Sequence, residues 1–257
     1  MTLKIGITGC TGRVGALLVR ELQSGDWPDL ALAGGSVRNL EGLDVDFFVT
    51  DDADVLFEKS DVVIDFTAPT ATRAHVEAAK TTQTPIVVAT SGLSNEDEVA
   101  IQDAAKDVAI VYAPNTSVIV TVMNTLVAQA AQVLGDEYDI EIVEAHHKHK
   151  VDAPSGTALM LGKTAAKARG VDFDDHAVLS REGETGARRT GDIGFATVRG
   201  GDVVGEHRVG FYGAGERLEI SNQSSDRVLY AKGALRAAQW LGAQKAGFYT
   251  MANVLGL

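Results

Sequence analysis

Cysteine is almost absent. Cys10 stands alone in 257 residues, so no disulfide can form within the chain and a reducing compartment is the expected setting. Long hydrophobic runs are missing too: no stretch approaches the roughly 20 continuous apolar residues that a membrane helix needs. The chain enters an apolar, strand-like run at residues 3–8 with neither a basic leader nor a small-residue cleavage site. The expectation is a cytoplasmic protein with no membrane partner. Positive charge is scarce, since 23 Lys and Arg face 35 Asp and Glu for a formal net charge of −12. Such a surface repels phosphate backbones and anionic lipids, so nucleic acid is not an expected partner. A small anion is repelled as well, unless a local cationic island receives it. Internal repeats, low-complexity tracts and long linkers are also lacking. What is present, 45% apolar and 23% charged residues, is an ordinary globular composition, long enough for one large domain or two modest ones.

The first 115 residues alternate short apolar runs with helix-compatible stretches. Strands are predicted at 3–8, 30–34, 61–66, 85–90 and 109–112, and helices at 12–24, 70–81 and 96–106. The runs Val62-Val-Ile64 and Ile86-Val-Val-Ala89 are unbroken, as in parallel strands covered on both faces. This βα alternation implies an α/β fold with a doubly wound, Rossmann-type parallel sheet. The pattern then changes to a long helix at 117–133, a strand at 139–146 and a helix at 157–168. Glycine-punctuated strands follow at 193–199, 203–212 and 217–222. Adjacent strands without intervening helices predict a second α+β domain on an open mixed sheet, whose uncovered face calls for a homo-oligomer. The helix expected at 230–241 returns to the first domain. The division is 1–117, completed by 227–257, for dinucleotide binding, and 118–226 for substrate binding and oligomerisation.

The first strand leads into Gly9-Cys10-Thr11-Gly12-Arg13-Val14-Gly15 and then a helix. The G-x-x-G-x-x-G spacing is a variant of the dinucleotide fingerprint. Gly9 makes the tight turn, Gly12 admits the pyrophosphate, and Gly15 lets the helix sit close to the sheet. The helix start offers amide donors and a positive dipole end, and Arg13 a charge-assisted contact. A ligand-free βα turn is the alternative. After the second strand comes Gly34-Gly-Ser-Val-Arg38, with no acid to bind a ribose 2′-hydroxyl; Ser36 and Arg38 lean towards NADPH over NADH, although Glu41 is near. Later strand ends at Phe66-Thr67-Ala-Pro69, at Ala89, Thr90 and Ser91, and at Ala113, Pro114, Asn115 and Thr116 together suit a nicotinamide and ribose cradle.

The segment Glu144-Ala-His-His-Lys-His-Lys150 puts three histidines and two lysines within five positions. On an extended backbone His147 and His149 share one face, and His146 and Lys148 the other. Asp152-Ala-Pro-Ser-Gly-Thr157 then opens a helix, where the Gly156 and Thr157 amides suit an anion such as a carboxylate. Three readings stand: a zinc site, a solvated basic turn, and a catalytic, anion-binding site. Zinc needs convergent side chains, which strand alternation scatters, and no metal is expected. Histidine titrates at roughly pH 6.5 and serves as acid or base at cellular pH. In an acidic protein this cluster is also the cationic island that an anionic substrate requires.

The run at 144–158, E-A-H-H-K-H-K-V-D-A-P-S-G-T-A, resembles the signature of the dihydrodipicolinate reductase family. The likeness extends along the chain through Gly9 to Gly15, Asp65-Phe-Thr67, Ala113-Pro-Asn115, Ser180-Arg-Glu-Gly183, Ile193 to Arg199, Gly205-Glu-His207 and Gly215 to Glu219. The resemblance implies reduction of a cyclic unsaturated dicarboxylate by NADH or NADPH in lysine and diaminopimelate synthesis, and a homotetramer. It assigns His146 as acid/base, Lys150 as proton donor, and His147, Gly156 and Thr157 as substrate carboxylate contacts. Gly9 to Val14, Arg38, Ala89 to Ser91 and Ala113 to Thr116 become cofactor positions. Two departures stand out: Val37 replaces an acid common before Arg38, which weakens the expectation of NADH use, and Ala89 replaces a common glycine. A non-catalytic dinucleotide-binding redox sensor is the alternative of another class.

Overall fold

A computed structural model describes residues 2–257, which fall into two compact units, 2–118 with 227–257, and 119–226. In the first unit the chain runs β1 (Leu3–Thr8), α1 (Gly15–Gln23), β2 (Leu30–Ser36), β3 (Val49–Thr50), α2 (Ala53–Glu58), β4 (Val62–Asp65), α3 (Pro69–Thr82), β5 (Ile86–Val88), α4 (Asn95–Ala104) and β6 (Ala109–Tyr112). In the second it forms α5 (Val118–Leu134), β7 (Asp139–His146), α6 (Gly156–Arg169), α7 (Phe173–His176), β8 (Ala177–Val178), β9 (Ile193–Arg199), β10 (Gly205–Tyr212) and β11 (Arg217–Ser224). It then returns to the first unit as α8 (Val228–Leu241), β12 (Gly247–Tyr249) and α9 (Met251–Leu255).

The first unit is a parallel seven-stranded sheet in the order β12-β6-β5-β4-β1-β2-β3. Alternation explains its unbroken apolar strands. Val62 and Ile64 of β4 and Val87 of β5 join one core with α1 and α8, whereas Val63, Ile86 and Val88 join another with α3 and α4. Both faces are therefore covered, as the doubly wound reading requires. The chain leaves β1 towards β2 on one side and later fills β4, β5 and β6 on the other. The topological switch lies between β1 and β4, where an open α/β sheet binds ligands at the carboxyl ends of its strands. β3, α2, β12 and α9 were not expected in this unit. The first two are short and lie in a polar stretch, and β12 contributes only three residues along β6.

The second unit has a five-stranded mixed sheet, β11-β10-β7-β9-β8, antiparallel from β7 to β11 and parallel from β7 to β8. Ile140, Ile142, Ile193, Phe195, Val209 and Phe211 pack one face against Met123, Val127 and Ala131 of α5 and Leu161 and Ala165 of α6. Val143, Val198 and Arg208 alternate onto the other face, and Val198 is exposed. With the 3-10 turn at Gly135–Glu137, α5 has the length and composition of a membrane span: 20 residues, mean hydropathy 1.6. This amends the sequence expectation. Thr121, Asn124, Thr125 and Gln129 interrupt any continuous run, yet the average passes. In the fold, Val120, Met123, Val127 and Ala131 are buried, while Ile119, Val122, Leu126 and Val133 are exposed.

Candidate active site

The glycine loop has the geometry its spacing implies. Gly9 sits at φ +67°, and the Gly12 amide donates to the Gly9 carbonyl at 2.8 Å, closing a tight turn. A Cβ on Gly15 would stand 2.1 Å from the Gly9 carbonyl oxygen, so only glycine lets α1 approach β1 this closely. Helix α1 therefore starts at Gly15, not at residue 12, and Thr11, Gly12 and Arg13 are exposed. Among the described residues no side chain caps its first turn, which leaves that helix end chemically suited to a pyrophosphate. Cys10 is buried against Gly35.

The neighbouring strand ends are held by one carboxylate. Asp65 closes β4 and is fully buried. Its Oδ1 accepts from Thr8 Oγ1 at 2.8 Å, Thr67 Oγ1 at 2.6 Å and Thr67 N at 3.1 Å; its Oδ2 accepts from Thr72 Oγ1 at 2.8 Å and Thr90 Oγ1 at 3.3 Å. His75 Nδ1 lies 3.3 Å from Oδ1. Burial pushes the Asp65 carboxyl up, but His75 and the threonine hydroxyls outweigh it and hold it below the usual range. Asp65 thus ties the ends of β1, β4 and β5 together. Of the other cofactor candidates, Arg38, Ser91 and Pro114 are exposed, Ala89, Thr90 and Ala113 are buried, and Asn115 is half-buried. Thr116 is fully buried, with its hydroxyl donating to the Tyr230 carbonyl at 2.8 Å.

In the second unit the core-facing side of β7 changes character midway, from Ile140 and Ile142 to Glu144 and His146. Register places Thr197 and His207 opposite Glu144, and Arg199 opposite His146. One face of three strands therefore gathers five polar side chains. His146 Nδ1 lies 2.6 Å from Glu144 Oε2. Burial pushes the His146 imidazole below its ordinary pKa; Glu144 opposes this, and Lys150 and Arg199 reinforce it. Burial likewise drives His207 down to about 4, helped by His146 and Lys150 against Glu144. The two imidazoles meet edge to face, 5.2 Å between centroids, and His207 Nε2 lies 3.0 Å from Ser155 Oγ. A Cβ on Gly205 would stand 3.1 Å from His146 Nε2, so glycine there keeps that atom uncrowded.

The histidine run is not extended to its end. Strand β7 stops at His146, and Lys150 N donates to the His147 carbonyl at 3.1 Å across a turn. The expected alternation from His146 to Lys150 therefore gives way to this turn, with Lys148 and His149 exposed. His147 and His149 do lie near one another, with rings 6.2 Å apart. Lys150 Nζ pairs with Asp152 Oδ1 at 2.9 Å. Helix α6 starts at Gly156 behind Ser155, whose Oγ accepts from Ala158 N at 3.1 Å. Gly156 is exposed with open space where a Cβ would be, and Thr157 is half-buried. Among the described residues, no group of three or more His, Cys, Asp or Glu side chains is arranged to hold a metal.

Sequence reading gave no role to Asp65, Glu144, Ser155, Arg199 or His207. The strand alternation of Glu144 with His146 and of Thr197 with Arg199 was the available signal, but their meeting depends on strand register.

Two family models, described as dihydrodipicolinate reductase N-terminus and C-terminus, match residues 3–116 and 119–255. A protein from Nitrosospira multiformis named 4-hydroxy-tetrahydrodipicolinate reductase is 45% identical over the whole chain and 98% of its own length. One of the same name from Magnetococcus marinus is 46% identical over the whole chain and 99% of its length. The solved structure of a dipicolinate-bound dihydrodipicolinate reductase from Paenisporosarcina sp. TG-14 shares the fold. It has a TM-score of 0.80 at 22% identity, covering 98% of this chain and 99% of that one. With both halves matched, and relatives this similar end to end, this chain belongs to the dihydrodipicolinate reductase family.

Proposed function

We propose that this chain reduces 4-hydroxy-tetrahydrodipicolinate to tetrahydrodipicolinate in lysine and diaminopimelate synthesis. The substrate, NAD(P)H and one proton give product, NAD(P)+ and water. The observation that carries this reading is buried His146, its Nδ1 2.6 Å from the Glu144 carboxylate, on the strand that leads to a helix start at Gly156, where a Cβ would meet open space. Relatives 45–46% identical over the full length bear the name of that activity. The first unit binds the dinucleotide through Gly9 to Val14, Arg38, Ala89 to Ser91 and Ala113 to Thr116. The bound dinucleotide supplies the hydride. In the second unit His147 and the Gly156 and Thr157 amides hold substrate carboxylates, and His146 with Lys150 supplies the proton that quenches the developing electron density.

NADPH is the preferred donor in this reading, because exposed Arg38 follows Val37 where a 2′-hydroxyl-binding acid would stand. A homotetramer assembled through the second-unit sheet is supported by the face that bears Val143, Val198 and Arg208, which no helix of the unit covers. A cytosolic setting accords with the single buried thiol.

Purified protein is expected to oxidise NADPH only when the cyclic dicarboxylate is supplied, faster than NADH, and to be inhibited by pyridine-2,6-dicarboxylate. His146→Gln lowers kcat by about 10²–10⁴ with a much smaller effect on KM. A sample that binds NADPH but never turns over would sink the enzymatic reading and favour a redox sensor. Sedimentation as a monomer would overturn the tetramer.

A further inference from the structure

Glu144 is 1% exposed and uses both carboxylate oxygens. Oε2 meets His146 Nδ1 at 2.6 Å and accepts from Arg199 Nη1 at 2.8 Å. Oε1 accepts from Arg199 Nη2 at 2.8 Å, Ser155 N at 3.1 Å and Thr197 Oγ1 at 3.2 Å. Ser155 is the cap of α6, and Gly156 and Thr157 follow it directly. One carboxylate therefore holds the imidazole with one oxygen and the helix start with the other. Ser155 Oγ and His207 close the circuit back to the His146 ring. Arg199 also donates to the Asp152 carbonyl at 2.6 Å, which pins the intervening loop to the same guanidinium.

We propose that Glu144, clamped by Arg199, is the positioning residue of this site. It fixes the His146 proton on Nδ1, so that Nε2 exchanges protons with substrate, and it sets the distance from Nε2 to the carboxylate-binding start of α6. This rests on the roles given above to His146, Gly156 and Thr157.

The chemistry of the groups compels the first half. An ionised carboxylate only accepts, so a neutral imidazole facing it must carry its single hydrogen on Nδ1. That hydrogen assignment follows from the network. A protonated Glu144 could donate instead and reverse the tautomer, and the bidentate Arg199 contact opposes this. Burial raises the Glu144 carboxyl, but Arg199 and His146 outweigh it and hold it below its ordinary value. The second half follows from the shared side chain. A displacement of Glu144 moves His146 and Ser155 together, and a misplacement of about 1 Å costs on the order of 10²-fold in rate.

Glu144→Gln keeps size and one acceptor but turns an amide donor towards Nδ1. It is expected to lower kcat by about 10²–10⁴, to change substrate KM less than about fivefold, and to leave NADPH affinity within about twofold. The groups that face His146 are Glu144, Arg199 on β9, His207 on β10, and Lys150 with its partner Asp152 in the loop. Removing the one carboxylate in direct contact shifts the His146 limb of the kcat–pH profile to lower pH. Glu144→Asp, with the charge restored, recovers part of kcat. A Glu144→Gln enzyme with kcat within threefold of the parent and an unshifted limb overturns the proposal. If that variant does not fold, nitrogen-15 shifts of the native protein decide: Nδ1–H on His146 at neutral pH supports the proposal, and Nε2–H refutes it. Inactive His146→Gln beside fully active Glu144→Gln removes only the positioning role. Full activity in both removes the assignment of His146 on which it rests.

Discussion

Gly15→Ala tests whether the approach of α1 to β1 depends on the missing side chain. The new methyl carbon would meet the Gly9 carbonyl oxygen at 2.1 Å and the Gly9 carbonyl carbon and Cys10 Cα at 2.9 Å. These are backbone atoms of a tight turn and cannot rotate aside. Restoring ordinary separation, near 3.5 Å, moves the loop or the helix by on the order of 1 Å. Overpacking of this kind costs about 1–3 kcal/mol. Alanine returns about 0.4–1 kcal/mol by restricting the unfolded chain, so a net loss of about 1–2 kcal/mol is expected. At about 2–4 °C per kcal/mol for a chain of this size, Tm falls by roughly 2–8 °C. In the proposed binding mode the displaced amides would also hold NADPH less tightly, by about tenfold for each 1.4 kcal/mol of weaker hydrogen bonding. Calorimetry and a fluorescence titration with NADPH measure the two effects. Gly200→Ala is the control: nothing crowds its Cβ position within 4 Å, so only the unfolded-chain gain remains and stability should rise by up to about 0.4–1 kcal/mol. An unchanged Tm together with an unchanged Kd for NADPH in Gly15→Ala would refute the argument.

Asp65→Asn replaces a carboxylate that accepts from four threonines with one acceptor and one misplaced donor. A loss of about 2–4 kcal/mol and weaker NADPH binding are expected, and a variant that matches the parent in Tm and affinity removes Asp65 as the anchor. Because its folded pKa is depressed, the Asp65 contribution is complete above the unfolded pKa of about 4 and is lost as pH falls through the folded value; Asp65→Asn should flatten the acid limb of Tm against pH. His207 behaves alike for a different reason. Held neutral down to about pH 4, it lets the unfolded chain take up a proton first, so its contribution is complete above about pH 6.5 and is lost as pH falls towards 4. An NMR titration that finds this ring ionising near pH 6.5 contradicts the buried environment.

The sequence was most legible where a structural rule acts locally. The predicted bounds of β6, β7 and β9 match the structure, because an apolar or alternating run between turn residues defines each. The glycine loop was readable because each glycine answers a steric demand within the same turn. Short pieces that draw their stability from neighbours escaped. β3 is two residues held to β2, and β12 is three residues held to β6. At the site, His146 stood out by composition, whereas Glu144 did not, although it lies only two positions earlier. Its guanidinium partner is 55 residues away, and the strand register that joins them is a tertiary fact. Asp65 escaped for the same reason, since its partners come from β1, α3 and the loops after β4 and β5.

The Asp65 anchor also bears on how such a protein can change. Among the described residues, none of its partners belongs to β2, whose carboxyl end is held separately by Val37 N to the Thr50 carbonyl at 3.0 Å and by the Gly9 and Cys10 amides on Ser36. The end of β2 is thus tied to the glycine loop and to β3 through backbone groups, and no side chain of β2 takes part in the Asp65 network. In the proposed binding mode, the side chains of Val37 and Arg38 can be exchanged by descendants of this sequence, or by a designer, without removing any of these backbone bonds. On that reading, donor preference becomes a trait that can drift at side chains while the main chain beneath them stays as it is.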